Sequence, residues 1–258
     1  MKYPNSCIWI TGGGSGIGAA LARRYWKLGA SVAISGRRLD KLERVIADEE
    51  VSLDRAMAIE CDVRDSASVN DAVGRIQENW GRLDIAIANA GFAVTGKFEG
   101  VELEQWRGQF ETNVLGVVHT LRAAMPLVEE AAGRLAVVSS VMGLVRAYRC
   151  APYCASKHAL TGLCRSLQLE LKGRAISLTN IMPGFVESEI RNVDNNGDLR
   201  SEPTAWAPSR LVWQADDAAK VMVKAIAARK REIVVTGHGK VAGWIGRHIP
   251  ELMYWVQR

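Results

Sequence analysis

The chain has 258 residues, 48% of them hydrophobic, enough to bury one large α/β core rather than two small ones. Its 33 Lys and Arg against 28 Asp and Glu leave a net charge of +5. With only the short cluster "ARKRE" at 228–232, that balance excludes a nucleic-acid footprint.

Five cysteines, Cys7, Cys61, Cys150, Cys154 and Cys164, are an odd number without framework spacing, which suits a reducing cytoplasm. Cys150, Cys154 and His158 share a helical face, but without a CxxC or an obvious fourth ligand no metal is expected. "MKYPNSCIWITGG" runs straight into a strand, leaving no room for a signal peptide. No run of about eighteen apolar residues suggests a membrane span.

The first expected strand is "CIWIT", 7–11, apolar throughout like strands buried on both faces of a parallel sheet. It runs at once into "TGGGSGIG", 11–18, and a helical pattern over 16–29. Such a turn lets the backbone approach a pyrophosphate, while the helix N-terminus offers free N–H donors. The pattern G-x-G-x-x-G/A fits through Gly14, Gly16 and Ala19; Gly12-x-x-x-Gly16-x-Gly18 fits the same stretch and is the more informative.

The second strand, 31–35, leads into "GRR" and a helix over 38–49. An NAD-binding unit would present Asp or Glu here to the ribose hydroxyls. Ser35, Gly36, Arg37 and Arg38 stand there instead. A carboxylate would repel a 2′-phosphate and a guanidinium would grip it, so NADP(H) is preferred and NAD(H) stays open. After the third strand, 56–61, Asp62 and Val63 could meet an adenine edge through a carboxylate and a backbone N–H. A helix over 66–80 and a fourth strand over 83–89 follow. Asn89, Ala90 and Gly91 close that strand with small residues that let the chain pass near a ligand.

A helical pattern over 104–130 precedes the fifth strand, 134–140, which ends at Ser140. In "APYCASKHAL", 151–160, Tyr153 and Lys157 lie one turn apart at the start of a helix over 152–173. Strand 176–182 leads to 184–213, which has two prolines, Asn195-Asn196-Gly197 and no sustained period; it reads as a long loop with short helices, of a length that is usually functional or mobile. Helix 215–229 and strand 232–236 complete a doubly wound, Rossmann-type parallel sheet of about seven strands in a single domain. The cofactor half is expected over about 1–140, the catalytic and substrate half over about 141–237, and a tail over 238–258. The tail carries Val241, Trp244, Ile245, Ile249, Leu252, Met253, Tyr254 and Trp255 among Lys240, Arg247 and Arg258, with Pro250 starting a new turn. It could lid a hydrophobic pocket, contact a membrane surface peripherally, or pack on the core or another subunit. Either of the first two would point to an apolar substrate, such as a lipid, steroid, retinoid or aromatic carbonyl.

In this order and spacing the motifs resemble the short-chain dehydrogenase/reductase family, in its shorter single-domain oxidoreductase branch. They are TGxxxGIG at 11–18, Asp62-Val63, "ANAG" at 88–91, Asn113 in "TNVLG", "SSVMG" at 139–143, YxxxK at 153–157 and "PGFVES" at 183–188. The resemblance implies cofactor contacts from Gly12, Gly14, Ser15, Gly16, Ile17, Gly18, Pro183, Gly184, Val186 and Ser188. It also makes Tyr153 the general acid/base, Lys157 its partner and a ribose ligand, and Ser140 the holder of the substrate oxygen. Asn113 would kink a helix and anchor a water joining Lys157 to solvent. A phenol has a pKa of about 10, which the Lys157 ammonium, joined by the oxidised nicotinamide, is expected to lower, each unit corresponding to ~1.4 kcal/mol.

The implied activity is hydride transfer between NADP(H) and a carbonyl or secondary alcohol, in a homodimer or homotetramer that is cytoplasmic or membrane-associated. An NAD-linked alcohol dehydrogenase is the alternative within the family. A non-catalytic NADP sensor would be expected to lack Tyr153 or Lys157.

Overall fold

A computed structural model of the chain describes residues 2–191, 193–198, 209–249 and 251. Seven strands form one parallel sheet: β1 (Cys7–Thr11), β2 (Ser31–Gly36), β3 (Ala56–Glu60), β4 (Ile85–Ala88), β5 (Arg134–Val138), β6 (Ser177–Met182) and β7 (Glu232–Val234). Each expected strand forms, its ends moved by at most two residues. Continuous apolar runs arise because the sheet is covered on both faces. In β1, Ile8 and Ile10 enter one core with Leu21, Leu42 and Met222, while Trp9 enters the other with Ile76, Leu121 and Leu160. Each fully buried side chain of this kind contributes roughly 1.5–3 kcal/mol.

The strand order is β3-β2-β1-β4-β5-β6-β7. The chain therefore winds outward from β1 in one direction, then returns to lay β4 on the other side. That reversal leaves a crevice beyond the C-terminal ends of β1 and β4, the usual ligand position in open α/β sheets. On one face lie α1 (Gly16–Lys27), α2 (Leu39–Ala47) and α7 (Ala215–Ala227). On the other lie α3 (Ser66–Trp80), α5 (Gly116–Glu130) and α6 (Ala151–Glu170).

Two elements depart from the sequence expectation. The helix expected over 104–130 is broken into α4 (Leu103–Phe110) and α5 by a π-helical turn, Glu111–Leu115. The apolar period continues through the turn, so it hides the break. The second departure is α8 (Gly237–His248), which opens the tail. Its four glycines oppose a helix by about 1 kcal/mol each, but close packing compensates. A Cβ at Gly246 would meet Val145 Cγ1 at 2.5 Å and the Leu144 carbonyl oxygen at 2.8 Å. Thr236 caps the helix by accepting the Gly239 N–H. Val241, Trp244 and Ile249 face outward. Pro250 and 252–258 lie outside the described residues, as do 192, 199–208 and with them Trp206.

Gly246→Ala is therefore expected to destabilise the fold despite its better helix propensity, by about 1–3 kcal/mol through overpacking. Urea unfolding followed by circular dichroism measures this; a gain in stability would mean that α8 is not held by this contact.

Candidate active site

The turn after β1 needs glycine at specific positions. Gly12 and Gly16 have φ of +67° and +50°, a left-handed conformation that costs other residues energy. A side chain at Gly12 would also meet Ala90 Cα at 2.8 Å. Gly18 packs directly on the Gly12 carbonyl. The Gly12, Gly16 and Gly18 pattern is thus the one that shapes the turn, whereas a Cβ at Gly14 would meet nothing nearer than Lys41 at 3.4 Å and would stand in the cleft. Asn89 locks the turn from β4: its Nδ2 donates to the carbonyls of Thr11 at 2.9 Å and Gly12 at 3.1 Å. Thr11 Oγ1 accepts the N–H groups of Asn89 and Ala90 in return.

α1 begins with no side-chain cap from Ser15 and no acidic residue in its first turn. Its N–H groups and positive dipole end are left facing the cleft. The cleft encloses about 530 Å³, within the usual ~300–1,000 Å³ range for ligand sites. Its wall includes Gly12, Gly14, Ser15, Gly16, Ile17 and Gly18, then Arg37, Arg38, Asp62 and Val63. Asn89, Ala90 and Gly91 continue it, and Pro183, Gly184, Val186 and Ser188 close it opposite. A glycine cradle against an uncapped helix end fits a pyrophosphate, so these residues fit a dinucleotide. Asp62 does not stand free: Arg64 Nη2 donates to its Oδ2 at 2.6 Å. Burial alone would raise its pKa, but bonding to Arg64 outweighs this and lowers it.

At the far end of the cleft stand Ser140, Tyr153 and Lys157. Tyr153 and Lys157 enter on the first two turns of α6. Ser140 ends the segment after β5 and caps the short turn Val141–Gly143 by accepting the Met142 N–H at 3.1 Å. Gly143 allows α6 to sit against that turn, since a Cβ there would lie 2.6 Å from the Lys157 carbonyl oxygen. Lys157 Nζ donates to the Val138 carbonyl at 3.2 Å and lies 5.6 Å from the centre of the Tyr153 ring. Burial pushes the Tyr153 phenol up to about 12, opposed by a hydrogen bond with Ser140. Burial brings Lys157 down to about 8. This corrects the expectation of a phenol made acidic by Lys157. With both groups buried, desolvation is the largest influence on each and favours its neutral form.

Asn113 is fully buried on the π-helical turn but does not line the cleft. Its Oδ1 accepts the Phe92 N–H at 3.1 Å, and its Nδ2 donates to the Phe92 carbonyl and to Ser156 Oγ. A π-helical turn stands where a kink is expected. The side chain, however, ties the segment after β4 to α6 rather than reaching toward Lys157.

The segment after β6 folds over the cleft. Val186 forms a parallel bridge with Trp213, and the Phe185 N–H donates to His238 Nε2 at 3.0 Å. Phe92, Phe185, Ile190 and Val193 give the cleft an apolar side, and Met142, Ala147 and Cys154 pack around the phenol. No described residue of α8 lines the cleft, and the described part of the tail is not a lid. Arg37 and Arg38 are at the cleft but already engaged: Arg37 with the Gly197 carbonyl and Arg38 with Glu189. Lys41 and Glu189, which the sequence reading did not single out, join this cluster at 2.5 Å. Lys41 lies four residues after Arg37, one turn into α2, and that spacing was the available signal.

Lys157 carries a pH prediction. Its folded pKa of about 8 lies below the usual 10.5, so the unfolded chain binds the proton more tightly. Stability should rise between about pH 8 and 10.5, by up to ~3 kcal/mol, relative to Lys157→Met. Urea titrations of both proteins across that range test this; parallel curves would mean that Lys157 is not desolvated.

Comparison with known proteins agrees with this architecture. The short chain dehydrogenase family profile matches residues 6–198. The human dehydrogenase/reductase SDR family member 7 is 31% identical over 234 residues, covering 84% of this chain and 69% of that protein. The meso-2,3-butanediol dehydrogenase of Serratia marcescens is 31% identical over 192 residues, covering 74% and 76%. A short-chain dehydrogenase/reductase from Burkholderia phymatum, solved with NAD, superposes with a TM-score of 0.85 over 100% of this chain and 97% of its own, at 22% identity. An alcohol dehydrogenase from Thermococcus sibiricus, solved with 5-hydroxy-NADP, gives 0.76 over 90% and 96%, at 23% identity. Among the described residues no helix is long and apolar enough to cross a membrane. The chain belongs to the short-chain dehydrogenase/reductase family and is an NAD(P)-dependent oxidoreductase acting on alcohol and carbonyl groups.

Proposed function

We propose that the protein is an NADP(H)-preferring reductase of apolar carbonyl compounds, with Tyr153 as its proton donor. One observation carries this reading: a buried phenol next to Ser140 and Lys157 shares a cleft with apolar Phe92, Phe185, Ile190 and Val193 and with three cations at the opposite end. When bound, the nicotinamide supplies hydride to the carbonyl carbon. The Tyr153 phenol, held protonated far above neutral pH, is already in the form that protonates a carbonyl oxygen. Ser140 Oγ orients that oxygen. Lys157 stabilises the phenolate left behind and returns the proton.

The glycine turn from Gly12 to Gly18 cradles the pyrophosphate on α1, and Asp62 and Val63 meet the adenine. Asn89 to Gly91, Lys157, Pro183, Gly184, Val186 and Ser188 hold the nicotinamide half. Arg37 and Arg38, joined by Lys41, hold the 2′-phosphate. Asn113 acts as a positioning residue through the π-helical turn. Apolar lining supports a lipid-like or aromatic substrate. The competing reading, an NAD-linked alcohol dehydrogenase, is favoured by the existing partners of Arg37 and Arg38.

Tyr153→Phe should leave NADPH binding nearly intact and reduce turnover of a carbonyl panel by about 10²–10⁴-fold; a variant retaining wild-type turnover would remove Tyr153 from the mechanism. Replacing Arg37 and Arg38 by Ala should weaken NADPH far more than NADH in equilibrium binding. Equal losses would refute the phosphate assignment.

A further inference from the structure

We propose that Glu189 is a cofactor-selecting residue: its carboxylate competes with the 2′-phosphate of NADP(H) for Arg38 and Lys41. The inference rests on the phosphate assignment above and deepens it.

Glu189 begins a short turn, Glu189–Arg191, directly after Ser188. Ser188 is packed so closely on the glycine turn that a Cβ at Gly16 would meet it at 2.9 Å. This contact brings the Glu189 side chain to α2. Arg38 Nη2 reaches its Oε2 at 2.9 Å and Lys41 Nζ its Oε1 at 2.5 Å. Burial alone would raise the pKa of Glu189, but the bonds from Lys41 and Arg38 outweigh it, and the carboxyl is held below its usual value.

Further along the chain, Asn196 and Gly197 also line the cleft. Asn195 pairs with the backbone of Thr95, accepting its N–H at 3.0 Å and donating to its carbonyl at 2.8 Å. The Gly197 carbonyl accepts Arg37 Nη2 at 2.9 Å. Arg37, Arg38 and Lys41 therefore all have partners on one segment. A 2′-phosphate, carrying about −1.5 to −2 charges and three acceptor oxygens, would have to share Arg38 and Lys41 with a carboxylate of its own sign, which repels it even where further N–H donors remain. NADH, lacking that phosphate, leaves the pairs in place. The internal carboxylate thus lowers the preference for NADP(H) below what the cations alone would give.

Quenching of tryptophan fluorescence measures the Kd of NADPH and NADH for wild type, Glu189→Gln and Arg38→Ala. Glu189→Gln keeps the side-chain size and removes the charge. It should tighten NADPH about three- to tenfold and leave NADH within about twofold. An unchanged or weaker NADPH affinity, or equal shifts for both cofactors, overturns the inference. Arg38→Ala separates the two claims. If it lowers the NADPH preference while Glu189→Gln does not raise it, competition by Glu189 is wrong and the phosphate assignment stands. If Arg38→Ala leaves the preference unchanged, the phosphate assignment fails and Glu189 selectivity fails with it.

Discussion

The chemistry of this molecule depends on how closely α6 approaches the turn that follows β5. Gly143 has no room for a side chain against the Lys157 carbonyl. Ser139 Oγ and Thr161 Oγ1 both donate to that same carbonyl. The contact brings Ser140, two residues beyond the buried strand β5, next to Tyr153 and Lys157 on a separate helix. It also removes the phenol and the ammonium from water. Burial then favours the uncharged form of both groups, so in the proposed mechanism the phenol is a proton donor rather than a standing base. Charge appears on it only when a reaction demands it.

The opposite end of the cleft works by the reverse physics. Arg37 and Arg38 are exposed and Lys41 is half-buried, and their partners on the segment after β6 are held by charge-assisted bonds that solvent weakens. Such contacts can be exchanged for those of a ligand. The catalytic end, by contrast, is built from buried contacts that would be costly to rearrange. One cleft therefore joins a rigid chemical end to an exchangeable recognition end. Val186, beside Trp213, and Gly197, at Arg37, both line this cleft.

Asn113 illustrates how a residue can matter without touching the cleft. The π-helical turn inserts an extra residue between α4 and α5 and aims the Asn113 amide at the backbone of Phe92. Its third bond, to Ser156 Oγ, ties that segment to the helix carrying Tyr153. The amide fastens the loop after β4 to α6.

Local chemistry determined much of this protein. Seven apolar β-rich runs alternating with helical periods have one economical arrangement, a parallel sheet covered on both faces. The glycine turn is legible from residue type at short spacing, and Ser140 and the Tyr153–Lys157 pair from the order and spacing of motifs that resemble the family's. Tertiary structure alone decided the rest. The break at Glu111–Leu115 leaves the hydrophobic period intact, and α8 forms against its glycine-rich propensity because those glycines let it lie on Leu144 and Val145. The phenol near 12 and the lysine near 8 follow from burial, which sequence spacing does not encode. Arg38 and Glu189 are 151 positions apart, and only the folded chain brings opposite charges that distant into contact.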